Sequence, residues 1–178
     1  TSETMNFQFS VNGHNQNSVY GTTIFKADQY IGFGQLTWAK SAQKHGLLLG
    51  VAYRYTFYDD NTTATFSLAS EENTPSVIHL LGIFVQDEIK FTPNQSLLLG
   101  ARYDYNSIHG SIFSPRVNYK LASDDKSMVF RLSAGNGFRV ANVFTEDHAA
   151  LTGAREVIFT EELKPEQSWN VNANLVKK

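Results

Sequence analysis

The chain contains no cysteine. That excludes a disulfide framework, a thiolate metal site and a cysteine nucleophile. Proline is scarce, at four in 178 residues. No run of 18 apolar residues occurs, which excludes a transmembrane helix. It leaves a transmembrane barrel open, because only alternate residues of a barrel strand need be apolar. Neither sign of charge dominates: the formal net charge is -2, and nothing suggests a nucleic-acid-binding surface. The chain has no G-x-S-x-G, no H-E-x-x-H and no glycine-rich phosphate loop after a strand, so it does not read as an enzyme. Its five histidines, at 14, 45, 79, 109 and 148, fall in separate segments. No signal peptide opens the chain, and both ends lie close to alternating runs, as expected of a slice from a longer polypeptide.

What the chain does have is aromatic residues, 13% of the total, set in a repeated unit of about ten alternating residues closed by a turn. The clearest copy spans 47–58. Leu47, Leu49, Val51, Tyr53, Tyr55 and Phe57 share one face, and Leu48, Gly50, Ala52, Arg54, Thr56 and Tyr58 the other. Strands of this length with one apolar face have the dimensions of a membrane-spanning β-strand. The same pattern predicts strands over 5–12, 30–39, 78–91, 97–105, 113–121, 128–135 and 169–175, about eight in all. Pro115 is awkward within its strand, since proline cannot donate to a ladder.

The connections alternate as well. Short turns at 40–45, 92–95 and 122–126 interleave with longer segments at 12–28, 59–76, 106–111 and 136–165. Outer-membrane barrels have that asymmetry, with short periplasmic turns and longer extracellular loops. Tyr53, Tyr55, Phe57, Tyr103 and Tyr105 gather toward the long-loop end of the apolar faces, like an interfacial girdle. The opposite faces carry Arg54, Arg102, Asp104, Arg116, Lys120 and Arg131 among many amides, which suits a wet lumen and also suits a solvated sheet face. The expected fold is therefore all-β, an antiparallel transmembrane β-barrel segment in contact with outer-membrane lipid. Two rivals remain: a complete eight-stranded outer-membrane barrel with a structural or adhesive role, and a soluble ligand-binding barrel or sandwich.

Three segments resemble the TonB-dependent outer-membrane receptor family. Gly82-Ile83-Phe84-Val85-Gln86-Asp87-Glu88, followed by a turn and Gly100-Ala101-Arg102-Tyr103-Asp104, is similar to the family's F-x-Q-D/E and G-x-R-Y-D strands. Ser114-Pro115-Arg116 is similar to the S-P-R opening of its next strand. Ser133-Ala134-Gly135-Asn136-Gly137-Phe138-Arg139-Val140-Ala141 and Glu162-Leu163-Lys164-Pro165-Glu166-Gln167-Ser168 resemble two further boxes, with Val140-Ala141 in place of Ala-Pro and Glu161-Glu162 in place of Asn-Pro. The order and spacing of these segments carry the resemblance, over roughly 80–176. The wording of 138–146 resembles Bacteroidetes-type members. The resemblance implies a 22-stranded barrel with a plugged lumen, of which residues 1–178 are one part and the N-terminal plug is absent. It further implies active import of an iron chelate, haem or cobalamin, driven by TonB and in some members assisted by a surface lipoprotein.

Site candidates follow from that resemblance. His148, between the two boxes, stands where haem receptors of the family carry an axial ligand; Glu146, Asp147 and Arg139 are further ligand-binding candidates. Arg102, Arg116 and Arg131, on polar faces of successive strands, are expected to point at the lumen, toward plug carboxylates or an anionic ligand. Asp59-Asp60-Asn61 lacks the glycine and alternating ligands of a calcium loop and reads as a solvated loop tip. No resident cofactor is implied.

Overall fold

The computed structural model describes residues 2–62, 64–67, 71–139 and 164–177. Every regular element among them is a strand: β1 Ser2–Tyr20, β2 Thr23–Ala42, β3 His45–Asp60, β4 Phe66–Ser67, β5 Glu72–Asn73, β6 Ser76–Thr92, β7 Gln95–Asn106, β8 Gly110–Ala122, β9 Met128–Arg139 and β10 Glu166–Lys177. Eight of them form one antiparallel sheet in the order β1-β2-β3-β6-β7-β8-β9-β10, and β4 pairs with β5 in the loop between β3 and β6. Neighbours in sequence are neighbours in space throughout, the up-and-down order that tight hairpins impose. β1 pairs only with β2, and β10 only with β9. The sheet is thus an open arc with two free edges, and the rival of a self-closed eight-stranded barrel does not hold.

The register confirms the two faces read from the alternation. Leu49 lies opposite Trp38 and Val85, and Val51 opposite Leu36 and Ile83, on one side. Gly50 opposite Thr37 and Phe84, and Ala52 opposite Gln35 and Gly82, lie on the other. Leu49 is 43% exposed, Ile83 56% and Leu99 45%, so the apolar face has no protein over it. Only Phe25, Ala27, Ala52 and Ile112 are buried hydrophobics among the described residues. A soluble sandwich or barrel would turn its apolar faces into a core. Here they face outward, toward lipid, and the soluble rival fails on that ground.

An aromatic band crosses this outer face near the long-loop end. Tyr30 and Phe57 stand 5.9 Å apart, ring to ring, and Tyr55 and His79 5.5 Å apart. The Tyr53 hydroxyl meets His79 Nδ1 at 2.7 Å, and the Tyr103 hydroxyl meets Ser111 Oγ at 2.8 Å. Each polar tip is satisfied while the ring stays apolar, which is the chemistry of a membrane interface. Toward the short-turn end, Trp38, Lys40 and Glu3 form a second polar cluster, with Lys40 Nζ 2.7 Å from Glu3.

Three connections differ from expectation. Segment 12–28 is a strand hairpin, not a loop: β1 and β2 stay paired to Tyr20 and Thr23, and Gly21, at φ +63°, makes the turn. Its amides preserve period two, and beyond Gly13 the outer face turns polar, with Asn15 donating to Asp28 at 2.6 Å. β2, 20 residues long, spans roughly 65 Å at about 3.3 Å per residue, against about 30 Å of hydrocarbon. The hairpin therefore projects well beyond the membrane. The 106–111 connection shrinks to residues 107–109, closed by Asn106 Oδ1 accepting from the Ile108 and His109 amides. Asp59-Asp60-Asn61 is ordered at the end of β3, as described below. Pro115 keeps its place in β8, but the β8–β9 ladder runs only from Arg116 opposite Gly135 to Ala122 opposite Val129. Above Pro115 the two strands lose their pairing.

Candidate functional site

The polar, inner face of the sheet carries the candidate site, because its charged groups pack together into the wall around Asp104 and Arg116. At its centre Asp104 is fully buried and holds Arg102: the guanidinium donates from Nε at 2.7 Å and from Nη2 at 2.6 Å. The two residues are two apart on β7, hence on one face. Gly82 lies directly opposite Asp104, and a Cβ there would occupy the space of both the carboxylate and the guanidinium. Arg102 also lies over the Phe84 ring, 5.5 Å from its centroid, and that ring covers Gly50 across the ladder. Small residues thus create the room in which a large charged pair is packed into the wall.

Arg116 is accommodated in the same way. Gly100 and Gly135 flank it on the neighbouring strands, each leaving space that its side chain crosses, and it donates to Gln86 Oε1. Beside it, where Pro115 ends the ladder, a cleft of about 310 Å³ is lined by Phe84, Gln86, Arg102, Ser114, Arg116 and Asn136. Ser114 Oγ and Asn136 Oδ1 are buried there without a protein partner. Arg131 lies nearer the short turns, exposed, opposite Lys120 on β8 and Asn174 on β10. All three arginines share the polar face of the sheet, but Arg102 is committed to Asp104 while Arg131 is exposed.

The long-loop end has its own polar centre, which the sequence reading passed over as a solvated tip. Asp60 is buried and accepts from the Thr62 amide at 2.9 Å, the Thr62 hydroxyl at 2.8 Å and the Tyr58 hydroxyl at 2.7 Å. Thr65 Oγ1 closes the turn by donating to the Asp60 carbonyl at 2.6 Å. Asn61 prolongs the ladder, its side chain accepting from the Lys26 amide at 2.7 Å and donating to the Ile24 carbonyl at 2.8 Å. The signal was an Asp followed by threonines at two and five residues, a local capping pattern. Arg139 ends β9 and pairs with Glu166 at the start of β10, 3.1 Å away, with both side chains exposed. His148, Glu146 and Asp147 lie outside the described residues. Among the described residues no group of three or more His, Asp or Glu is placed to hold a metal ion. An apolar depression of about 480 Å³ on the outer face, bordered by Leu36, Leu49, Ile83, Val85 and Tyr103, faces lipid.

Comparison with known proteins gives the same architecture. Residues 1–176 match the family model "TonB dependent receptor-like, beta-barrel". A curated relative, the iron-regulated outer membrane virulence protein of Vibrio cholerae, is 26% identical over 156 residues, covering 86% of this chain and 22% of the relative. The chain thus spans about a fifth of that protein. Among solved structures, the siderophore receptor PirA of Pseudomonas aeruginosa superposes with a TM-score of 0.65 at 18% identity, over 97% of this chain and 36% of the receptor. A mutant of the ferric enterobactin receptor PfeA from the same organism gives 0.55 at 16%, over 80% of this chain and 23% of the receptor. At those identities the superpositions speak for the fold alone, an arc of a larger barrel. With the family model matched from end to end of an eight-stranded, lipid-facing arc, the chain belongs to the TonB-dependent receptor β-barrel family.

Proposed function

We propose that the chain is part of the wall of an outer-membrane active transporter that captures a ferric chelate, of siderophore type, and imports it with energy relayed by TonB. The observation that carries this reading is the family match over residues 1–176. The relatives add the ligand class: one is named for iron regulation, and the two solved receptors for a siderophore and for ferric enterobactin. In this reading the projecting β1–β2 hairpin and the ordered base of the 61–75 loop frame the extracellular mouth, where ligand enters. The inward face carrying Arg102, Arg116 and Arg131 surrounds a plug domain supplied by the rest of the polypeptide. A surface lipoprotein is a further partner that the family resemblance implies. The protein acts on its ligand by binding and translocation, without a chemical step.

The test uses the full-length receptor in its own outer membrane. Cells grown under iron limitation should take up radiolabelled ferric siderophore in a TonB-dependent manner, and deletion of the receptor gene should abolish it. Uptake of haem or cobalamin instead, with ferric siderophore ignored, would reassign the ligand. His148 provides the sharper arm of that comparison: His148→Ala should leave ferric-siderophore uptake unchanged. Selective loss of haem-dependent growth in that variant would make the residue a haem ligand.

A further inference from the structure

We propose that Lys40 and Glu3, with Trp38 beside them, form a head-group site on the outer wall for a zwitterionic phospholipid of the ethanolamine class, drawn from the periplasmic leaflet. Such a site depends on this face meeting lipid, not on what the receptor imports. β1, β2, β3 and β6 are consecutive in the sheet. At the short-turn end of their outer face, Glu3, Lys40 and His45 close the apolar run on the first three, and Asp87 interrupts it on β6. Glu3 lies opposite Lys40, Lys40 opposite Leu47, and Leu47 opposite Asp87, so both carboxylates and the lysine stand in one row. β7 and β8, next in the sheet, carry uncharged Gln95 opposite Leu121 at their short-turn ends. The charge gathers on one stretch of the boundary and is not a continuous girdle.

Both signs are present there. Lys40 Nζ is 2.7 Å from Glu3 Oε1 and 5.8 Å from the Trp38 ring centroid, and the indole Nε1 donates to Glu3 Oε2 at 3.4 Å. His45 Nδ1 and Asp87 Oδ2 form a second pair, also 2.7 Å apart. An ammonium has three N–H donors, and among the described residues Lys40 uses one, on Glu3. The others are left for a phosphate, while the Glu3 carboxylate keeps acceptor capacity for the ethanolamine ammonium. Head group and ion pair then lie as antiparallel dipoles, each charge beside its opposite, in an interface whose reduced dielectric strengthens such pairs. A head group with phosphate alone would leave its charge beside Glu3 uncompensated. The apolar depression of about 480 Å³ begins one row above. Met5 lies opposite Trp38, Trp38 opposite Leu49, and Leu49 opposite Val85, and all four line it. A phosphate at Lys40 therefore sets the first methylenes of an acyl chain into an apolar groove, with Trp38 at the junction of polar and apolar. Short turns mark the periplasmic side, so the lipid belongs to that leaflet.

Lipid competition on the full-length receptor tests this. The protein is purified in detergent, stripped of lipid and offered equal amounts of phosphatidylethanolamine and phosphatidylglycerol with identical acyl chains. Native mass spectrometry reads what stays bound. Wild type should retain the ethanolamine lipid about tenfold more than the glycerol lipid, the scale of one charge-assisted contact. Equal retention, preference for the glycerol lipid, or lipopolysaccharide held against both overturns the proposal without any variant having to fold. Lys40→Gln should lower retention of the ethanolamine lipid by about tenfold. Glu3→Gln should reduce it to the level of the glycerol lipid. Lys126→Gln, which removes a cation from the turn after β8, should bind as wild type. Heat-modified mobility on gels first establishes that each variant is a folded barrel. A folded Lys40→Gln that keeps wild-type retention, or a loss equalled by Lys126→Gln, places the head group elsewhere and removes the site.

Discussion

Asp104 is the residue on which the middle of the wall turns. A carboxylate with no solvent is tolerated because Arg102 meets it through two nitrogens, and Gly82 is what leaves them room. Removing one partner of a buried pair strands the other, typically at about 3–5 kcal/mol. Asp104→Ala in the full-length receptor should fall near the low end of that range, because Arg102 remains partly exposed. Gly82→Val should cost about 1–3 kcal/mol by overpacking the same spot. Heat-modified mobility on gels reads both as a lowered unfolding temperature, and a wild-type midpoint for Gly82→Val would show that the pair moves aside freely. In the turn after β8, the Ser123 hydroxyl, then the Ser127 hydroxyl and amide, donate to Asp125 at 2.5, 2.8 and 3.0 Å. These bonds hold its carboxyl down at about 2, below the ordinary value of 3.8. A folded value below the unfolded one adds stability at pH above about 4, lost as pH falls toward 2. Amide-exchange protection of residues 123–127 should therefore be greater in wild type than in Asp125→Asn at pH 6. The two should converge below pH 4; a constant gap across that interval would mean the hydrogen bonds do not depend on the charge.

At the scale of the element, period two decides which substitutions the wall tolerates. Leu49 on β3 faces lipid, and Gln35 on β2 faces inward beside Gln8. Lysine on the lipid face costs about 2–4 kcal/mol near the bilayer midplane and close to nothing in a wet lumen. Leu49→Lys, like Leu99→Lys, should block assembly of the full receptor into the outer membrane. Gln35→Lys should assemble as wild type; equal assembly of all three would invert the face assignment. The same periodicity made β3, β7 and β9 legible from sequence, since each keeps an apolar face over most of its length. It understated β1 and β2, where polar residues continue the alternation above the membrane and composition alone reads as loop. β6, expected over 78–91, runs Ser76–Thr92, and its Ile78, Leu80 and Phe84 put apolar side chains on the inner face. The Phe84 ring covers Gly50, a pairing visible only once the register is known.

At the scale of the whole molecule, the open arc is the governing fact. β1 and β10 each leave one side of the ladder unpaired, and a membrane-embedded sheet edge is costly because hydrocarbon offers no hydrogen bonds. The wall must be continued by further strands on both sides. The native polypeptide extracted from the outer membrane should therefore have a mass several times that of these 178 residues. An intact mass near that of 178 residues would require β1 and β10 to find each other, and the transporter reading would fall with it.

Alternation along single strands determined the fold class, the lipid-facing side and the order of the hairpins, because side-chain direction in a strand depends only on position modulo two. The motif wording at Phe84-Val85-Gln86-Asp87, Arg102-Tyr103-Asp104 and Ser114-Pro115-Arg116 identified the family. What only the tertiary structure decided is how charges are shared across strands. Arg102, Arg116 and Arg131 look alike in sequence, each a cation on a polar face. Arg102 takes Asp104 from its own strand, in room that cross-strand register leaves at Gly82, while register gives Arg116 a glutamine between two glycines and Arg131 a lysine. Electrostatic roles depend on neighbours about 5 Å away through space, and those neighbours lie as many as 30 residues away along the chain.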